Sequence, residues 1–563
     1  MLNSMTYSLA EKLEKAFQAE MQISVDETRV PRIWNKDASV WTDDEAKWLG
    51  WLNIVSVELD GLQKYRDLRQ DIESAGFTDI LLMGMGGSSL CPEVLAKTFG
   101  VGNFHILDST VPAQIIAVEE KLDLETTLFI VASKSGSTLE PNCFKQYFFD
   151  RVSQIAGAEN AGKQFIAITD PGSKMQQVAE ADNFRHIFYG NPEIGGRFSA
   201  LSAFGMTAAA AMGLDVERFL NSAAVMVEAC KEPNAPDNPG ALLGTILGIC
   251  HQNGRDKLTI FTSSEIYDLG AWLEQLIAES TGKNGVSIIP IDREPLLHAD
   301  AYSNDRIFVN LKLKDSEPVE ELIDGLNDLR NAGHPVIEIE IQDIYDLGQE
   351  FFRWEFATAV AGAIMQINPF NQPDVEDAKI EARKITDEYE KTGSLPNETP
   401  FFEENGIQLF SSTEYAAELT DIIEEQTLAG YIEGHLWNFA EDDYFAILAY
   451  VEMNEETEEI LQSIRVKILE SNPVATCLGF GPRFLHSTGQ AYKGGANNGV
   501  FLQITSDDET DLPVPGQKYT FGVVKAAQAR GDFQVLLDRE RRALRIHISG
   551  NVSDGLRRIM AEV

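Results

Sequence analysis

The chain has 563 residues and a formal net charge of −42, with 46 Lys+Arg against 88 Asp+Glu. Hydrophobic residues at 44% and charged residues at 24% describe packed globular domains, about three at this length. The acidity argues against a nucleic-acid binder, and it leaves an anionic small molecule only a pocket whose local field opposes the global one.

No stretch reaches the roughly 18 apolar residues of a membrane span. The most apolar run, 203–214, is too short and is rich in Ala and Gly. Residues 1–19 alternate charged with apolar positions, so no signal peptide and no membrane partner are expected. The five cysteines (Cys91, Cys143, Cys230, Cys250, Cys477) are scattered and form no CxxC pair. Neither a disulfide framework nor a zinc site is indicated, and a cytoplasmic location is expected.

In chain order, residues 1–60 read as an N-terminal helical arm. Continuous apolar runs at 79–83, 104–107, 127–132 and 164–169 read as strands buried on both faces, with helical stretches such as 92–99 and 112–121 between them. That βαβ series predicts a doubly wound parallel-sheet domain over 61–225. A second series at 257–262, 286–291, 306–313 and 335–341 predicts another over 226–390, with helices near 203–213 and 216–231 bridging the two. Residues 391–406, rich in Pro, Gly, Ser and Asn, read as a linker. Strands at 444–451, 474–479, 499–505 and 545–549 around a helix near 455–469 predict a third α/β unit over 407–563. The cleft between tandem lobes is the expected ligand site.

Six segments carry candidate chemistry. GMGGSS, Gly84 to Ser89, follows a strand and precedes a helix, so its amides suit a phosphate or a sugar hydroxyl. The alternative is a tight strand-to-helix turn. SKSGST, Ser133 to Thr138, packs four hydroxyls and a glycine at a helix start, which suits a phosphate monoester; a capping cluster is the alternative. In GGRFS, two glycines let Arg197 approach a ligand and stabilise an oxyanion, unless it only forms a surface salt bridge.

In WLEQLIAESTGK, Gln275 and Glu279 are four apart and share one helix face close to the helix end. A carboxylate there can project into a cleft and abstract a proton; composition alone makes it a solvated glutamate. NPFNQPDVEDAK enters a helix that carries Lys379, by itself an ordinary surface charge. LHSTGQAYKGG in the third unit holds His486, one of eight histidines, among small polar residues.

Taken together, in this order, the segments resemble the phosphoglucose isomerase family, over about residues 41–384. The third unit, with LGFGPRFLHSTGQAYKGG and GVFLQIT, resembles the C-terminal part of the isomerase half of bifunctional transaldolase/glucose-6-phosphate isomerase chains. No fused transaldolase is expected in residues 1–563, since about 60 residues precede the first lobe and an eight-fold barrel needs roughly 250.

The resemblance implies two tandem SIS-type (sugar-isomerase) lobes and interconversion of glucose 6-phosphate and fructose 6-phosphate through a cis-enediol. It implies Glu279 as the base moving a proton between C2 and C1, and Arg197 as the stabiliser of the enediolate. Ser133, Ser135, Ser137 and Thr138 would hold the phosphate, while Gly87, Ser88 and Gln275 would contact the sugar. Lys379 matches the family's active-site lysine, which helps open the ring.

The family's ring-opening histidine lies between that glutamate and that lysine, on a segment from a neighbouring subunit. Here the interval holds only His298 and His334, and His486 is taken to replace it, with His298 as the other candidate. Proton transfer beside a carbonyl needs no metal or redox cofactor, and none is expected. A small-molecule sugar phosphate is the expected partner, and a homo-oligomer stays open. Two other readings remain: a non-catalytic sugar-phosphate sensor, and an isomerase of another hexose phosphate such as mannose 6-phosphate.

Overall fold

A computed structural model describes residues 1–42, 46–437 and 439–563. The first strand, β1 (Ser4–Ser8), precedes a series of helices. The first lobe then lays down β2 (Asp79–Met83), β3 (Phe104–Leu107), β4 (Thr127–Ala132), β5 (Phe165–Thr169) and β6 (His186–Tyr189). All pair in parallel, in the order β3-β2-β4-β5-β6. β4 and β5 are buried at every position because helices cover both faces, which is why they read as unbroken apolar runs. Edge strand β6 is only partly buried and gives no such run.

The second lobe contains β7 (Lys257–Thr262), β8 (Ile289–Asp292), β9 (Arg306–Leu313) and β10 (Val336–Ile341), parallel in the order β10-β9-β7-β8. β1 joins this sheet antiparallel to β10, with Ser4 opposite Glu340 and Ser8 opposite Val336. The segment read as a helical arm therefore opens with a strand that closes the second lobe's edge. β8 starts three residues later than the apolar run suggests, since Val286 instead bridges back to Lys283. Pro290, which has no N–H to give, is tolerated because β8 is an edge strand.

The third unit is a six-stranded sheet. β11 (Phe402–Glu404) and β12 (Ile407–Phe410) form an antiparallel hairpin inside and just beyond the stretch read as a linker. β12 pairs antiparallel with the last strand of a parallel set: β13 (Tyr444–Tyr450), β14 (Ala475–Phe480), β15 (Gly499–Ser506) and β16 (Arg542–Ile548). The order is β11-β12-β16-β15-β13-β14. One apolar cluster spans the boundary between lobe and unit: Ala278, Ile289 and Ile291 of the second lobe pack with Tyr444, Cys477, Tyr492 and Phe501. Buried apolar area of this kind holds two bodies together without fixing their orientation closely.

Candidate active site

In the first lobe β2 lies between β3 and β4, so the chain leaves β2 to one side and returns on the other. Such a switch point opens a crevice at the strands' carboxyl ends. Gly84–Ser89 follows β2 and Ser133–Thr138 follows β4, so both loops line that crevice. It is the deep end of a cleft of about 880 Å³ whose other walls come from the second lobe and the third unit.

The hydroxyl loop is built to leave its helix start free. Gly136 has φ +66°, and a β-carbon there would lie 2.1 Å from the Met175 nitrogen, so only glycine makes this turn. Ser135 and Ser137 hydroxyls bond each other at 2.7 Å. Thr138 is the N-cap of helix Leu139–Ala156, yet no side chain caps that helix. Thr138 therefore does not act as a side-chain cap, and the helix start, Leu139 to Pro141, lines the cleft with the macrodipole's positive end. Ser133 Oγ is buried with no protein partner. Lys134 donates to Asp170 at 2.8 Å; burial pulls its pKa down against that carboxylate's pull upward.

GMGGSS and GGRFS meet face to face. A β-carbon on Gly87 would sit 2.1 Å from the Gly196 carbonyl oxygen. That contact fixes Arg197, which is 1% exposed and makes four hydrogen bonds: Nε donates to Ser280 at 2.7 Å, Nη2 to the Pro369 and Asn371 carbonyls, and Nη1 to Gln372 at 3.1 Å. Nη1 also lies 3.4 Å from Glu279 Oε1. Burial lowers the arginine's pKa and the glutamate's charge opposes that.

Glu279 lies in the last turn of helix Leu269–Thr281 and is 8% exposed in the cleft wall. One turn earlier, Gln275 Nε2 donates to Glu279 Oε2 at 3.2 Å and to the His486 carbonyl at 2.8 Å. Gln275 Oε1 is buried without a protein partner. Gly86 leaves room for this amide, since a β-carbon there would reach it at 2.7 Å.

His486 reaches the same cleft from the third unit. Its Nε2 donates to Glu140 Oε1 at 2.9 Å. Glu140 is buried, which by itself would raise its pKa; His486, the helix-start amide and Lys379 outweigh that and hold it below the ordinary glutamate value. The imidazole's outward nitrogen is thus Nδ1. His298 is exposed and outside the cleft, and His334 is buried against Phe308, its pKa lowered to about 4 by burial and Arg255.

Lys379 lies on helix Pro373–Thr392, lines the cleft and pairs with Glu376 at 2.7 Å. That helix is locked at its start by Gln490 of the HSTGQ stretch. Gln490 Oε1 accepts from the Asp374 and Val375 amides at 3.0 and 3.2 Å, while its Nε2 donates to the Gly282 carbonyl at 2.8 Å. One buried amide thereby joins the end of the Glu279 helix to the start of the Lys379 helix.

All the residues singled out from sequence (Gly87, Ser88, Ser133, Ser135, Ser137, Thr138, Gln275, Glu279, Lys379 and His486) line this one cleft, and Arg197 sits directly behind Glu279. Sequence reading missed Glu140, Gln372, Gln490 and Gln528. Nothing local marks Glu140, because its histidine partner lies 346 positions away. Among the described residues no group of three or more His, Cys, Asp or Glu could hold a metal ion.

Residues 57–290 match the family model described as phosphoglucose isomerase. The chain is 27% identical over 371 residues to a probable glucose-6-phosphate isomerase of Methanococcus maripaludis, covering 59% of this chain and 82% of that one. It is 27% identical over 357 residues to a glucose-6-phosphate isomerase of Methanocaldococcus jannaschii, covering 57% and 86%. Its fold is shared with a hypothetical protein of Thermus thermophilus (TM-score 0.57, 23% identity, 67% of this chain and 99% of that chain). A glucose-6-phosphate isomerase of Chlamydia trachomatis also shares the fold (TM-score 0.53, 21% identity, 68% and 88%). With the motif order and the two parallel-sheet lobes, these findings make the chain similar to phosphoglucose isomerases, the family model matching residues 57–290.

Proposed function

We propose that this chain interconverts glucose 6-phosphate and fructose 6-phosphate by general acid–base proton transfer through a cis-enediol. The observation that carries the reading is the Glu279 carboxylate set 3.4 Å from the buried Arg197 guanidinium, in a cleft shared with the uncapped hydroxyl loop. The family match and the relatives named glucose-6-phosphate isomerase support it.

In this reading the phosphate sits on Ser133, Ser135, Ser137 and Thr138, at the positive end of helix Leu139–Ala156. Gly87, Ser88 and Gln275 contact sugar hydroxyls. His486, oriented by Glu140, opens the ring with Lys379. Glu279 then takes the proton from C2 of the aldose and returns it to C1, giving the ketose, and the reverse reaction retraces those steps. Negative charge builds on the enediolate oxygens between the two transfers, and Arg197, fixed before the reaction by its neighbours, stabilises it without reorganising. The four acting residues all come from one chain, so this site needs no neighbouring subunit's histidine. No described helix is long and apolar enough to cross a membrane, and a cytoplasmic location completes the proposal.

A coupled assay with fructose 6-phosphate tests the reading. Glu279→Gln is expected to lose about 10²–10⁴-fold in kcat, the usual weight of a general base, while phosphate-ester binding survives. Full activity in that variant would remove Glu279 from the base role.

A further inference from the structure

The carboxylate that orients His486 is itself held by the third unit. Gln528, on helix Phe521–Asp538, donates from Nε2 to Glu140 Oε1 at 2.6 Å, and its Oε1 accepts from the Thr110 hydroxyl at 2.6 Å. Gln528 is 4% exposed and Thr110 fully buried, and Gln528 lines the cleft. The two bonds fix the amide's orientation. A flipped amide would turn its oxygen on the Glu140 carboxylate and its N–H₂ group away from it. Glu140 Oε1 therefore receives two donors, one from Gln528 and one from His486, and a carboxylate anchored by a second donor cannot rotate away from the imidazole.

We infer that Gln528, clamped by Thr110, is a positioning residue for ring opening: it aims Glu140, which aims His486. The inference rests on the isomerase reading above and adds to it a residue that touches neither the sugar nor the phosphate. A buried amide that only satisfied Glu140 for stability would matter equally whether or not His486 were present. A positioning residue matters only through His486, and a double-mutant cycle separates the two.

In the full-length chain Gln528→Met is expected to lower kcat for glucose 6-phosphate about tenfold, as for a lost hydrogen bond to a charged group, with KM nearly unchanged. In a His486→Ala background the same substitution is expected to change kcat by less than about twofold, because the residue it acts through is gone. Equal losses in both backgrounds, or no loss with His486 present, would overturn the inference while leaving the isomerase reading standing. An inactive wild-type chain would overturn that reading and the inference with it. Should Gln528→Met fail to fold, Thr110→Val frees the amide without removing it. A roughly threefold loss of kcat confined to the His486 background supports the clamp, and equal losses overturn it.

Discussion

The third unit meets the two lobes in different ways. Against the second lobe an apolar cluster, Ala278, Ile289 and Ile291 with Tyr444, Cys477 and Tyr492, lies beside polar bonds, among them Arg293 to Glu458 at 2.7 Å, Gln490 to the Gly282 carbonyl at 2.8 Å and Glu294 accepting from the Thr476 amide at 3.0 Å. Against the first lobe its site-facing contacts are charged and directional. Arg483 binds Asp108 at 2.7 Å and also Glu93, His486 binds Glu140, and Gln528 bridges Thr110 to Glu140. Apolar burial supplies binding strength with little angular preference, whereas charge-assisted hydrogen bonds fix angles. The apolar cluster holds the unit in place, and the charged contacts to the first lobe aim one imidazole.

The sharpest break is Arg483→Met. It strands two largely buried carboxylates, and Arg483 lies three residues before His486, so a stability loss of about 4 kcal/mol is expected. Isomerase activity should fall further than the folded fraction explains. Urea unfolding followed in parallel with the assay checks both.

Ile291→Ala on the apolar side should cost about 3 kcal/mol, as cavity-forming changes do, yet leave the activity of the folded protein nearly intact. Equal activity losses from the two variants would erase the distinction between the faces.

The smallest effect sharpens the comparison. Glu274, one residue before Gln275, faces Asp292 at this boundary, with Arg465 and Arg293 nearby. Burial first, then the Asp292 charge, raises its carboxyl above the ordinary range. The folded chain therefore keeps a proton that the unfolded chain releases, so stability is greatest at low pH and falls as pH rises from the ordinary carboxylate range through neutrality. Glu274→Gln removes that loss. Its melting temperature should match wild type near pH 5 and exceed it near pH 8, by the equivalent of about 1 kcal/mol. The same offset at both pH values would refute the assignment.

Most of the architecture was legible because buried parallel strands are unbroken apolar runs, as β4 and β5 are. β1 and β6 were not, since edge strands exposed on one side lose that pattern. The hairpin β11–β12 hid in a segment whose Pro, Gly and Asn content looked like a linker. The hydroxyl and glycine loops could be read because their chemistry is local. Arg197 behind Glu279, and Glu140 against His486, depend on contacts 82 or more positions apart. No spacing rule reaches that far. His486 emerged from the resemblance of its HSTGQ stretch, whereas Gln528 and Thr110, which act only through a partner, left no trace in their own neighbourhoods.

The contact between Gly87 and Gly196 has a consequence for variation in this chain. A methyl group at position 87 would have to occupy the volume of a peptide oxygen belonging to the arginine loop. The two loops are therefore one mechanical part made from two distant stretches of sequence. Saturation mutagenesis of position 87 should return glycine alone, and any backbone shift that admitted a larger residue would displace the guanidinium and the hydroxyl-facing loop in the same movement.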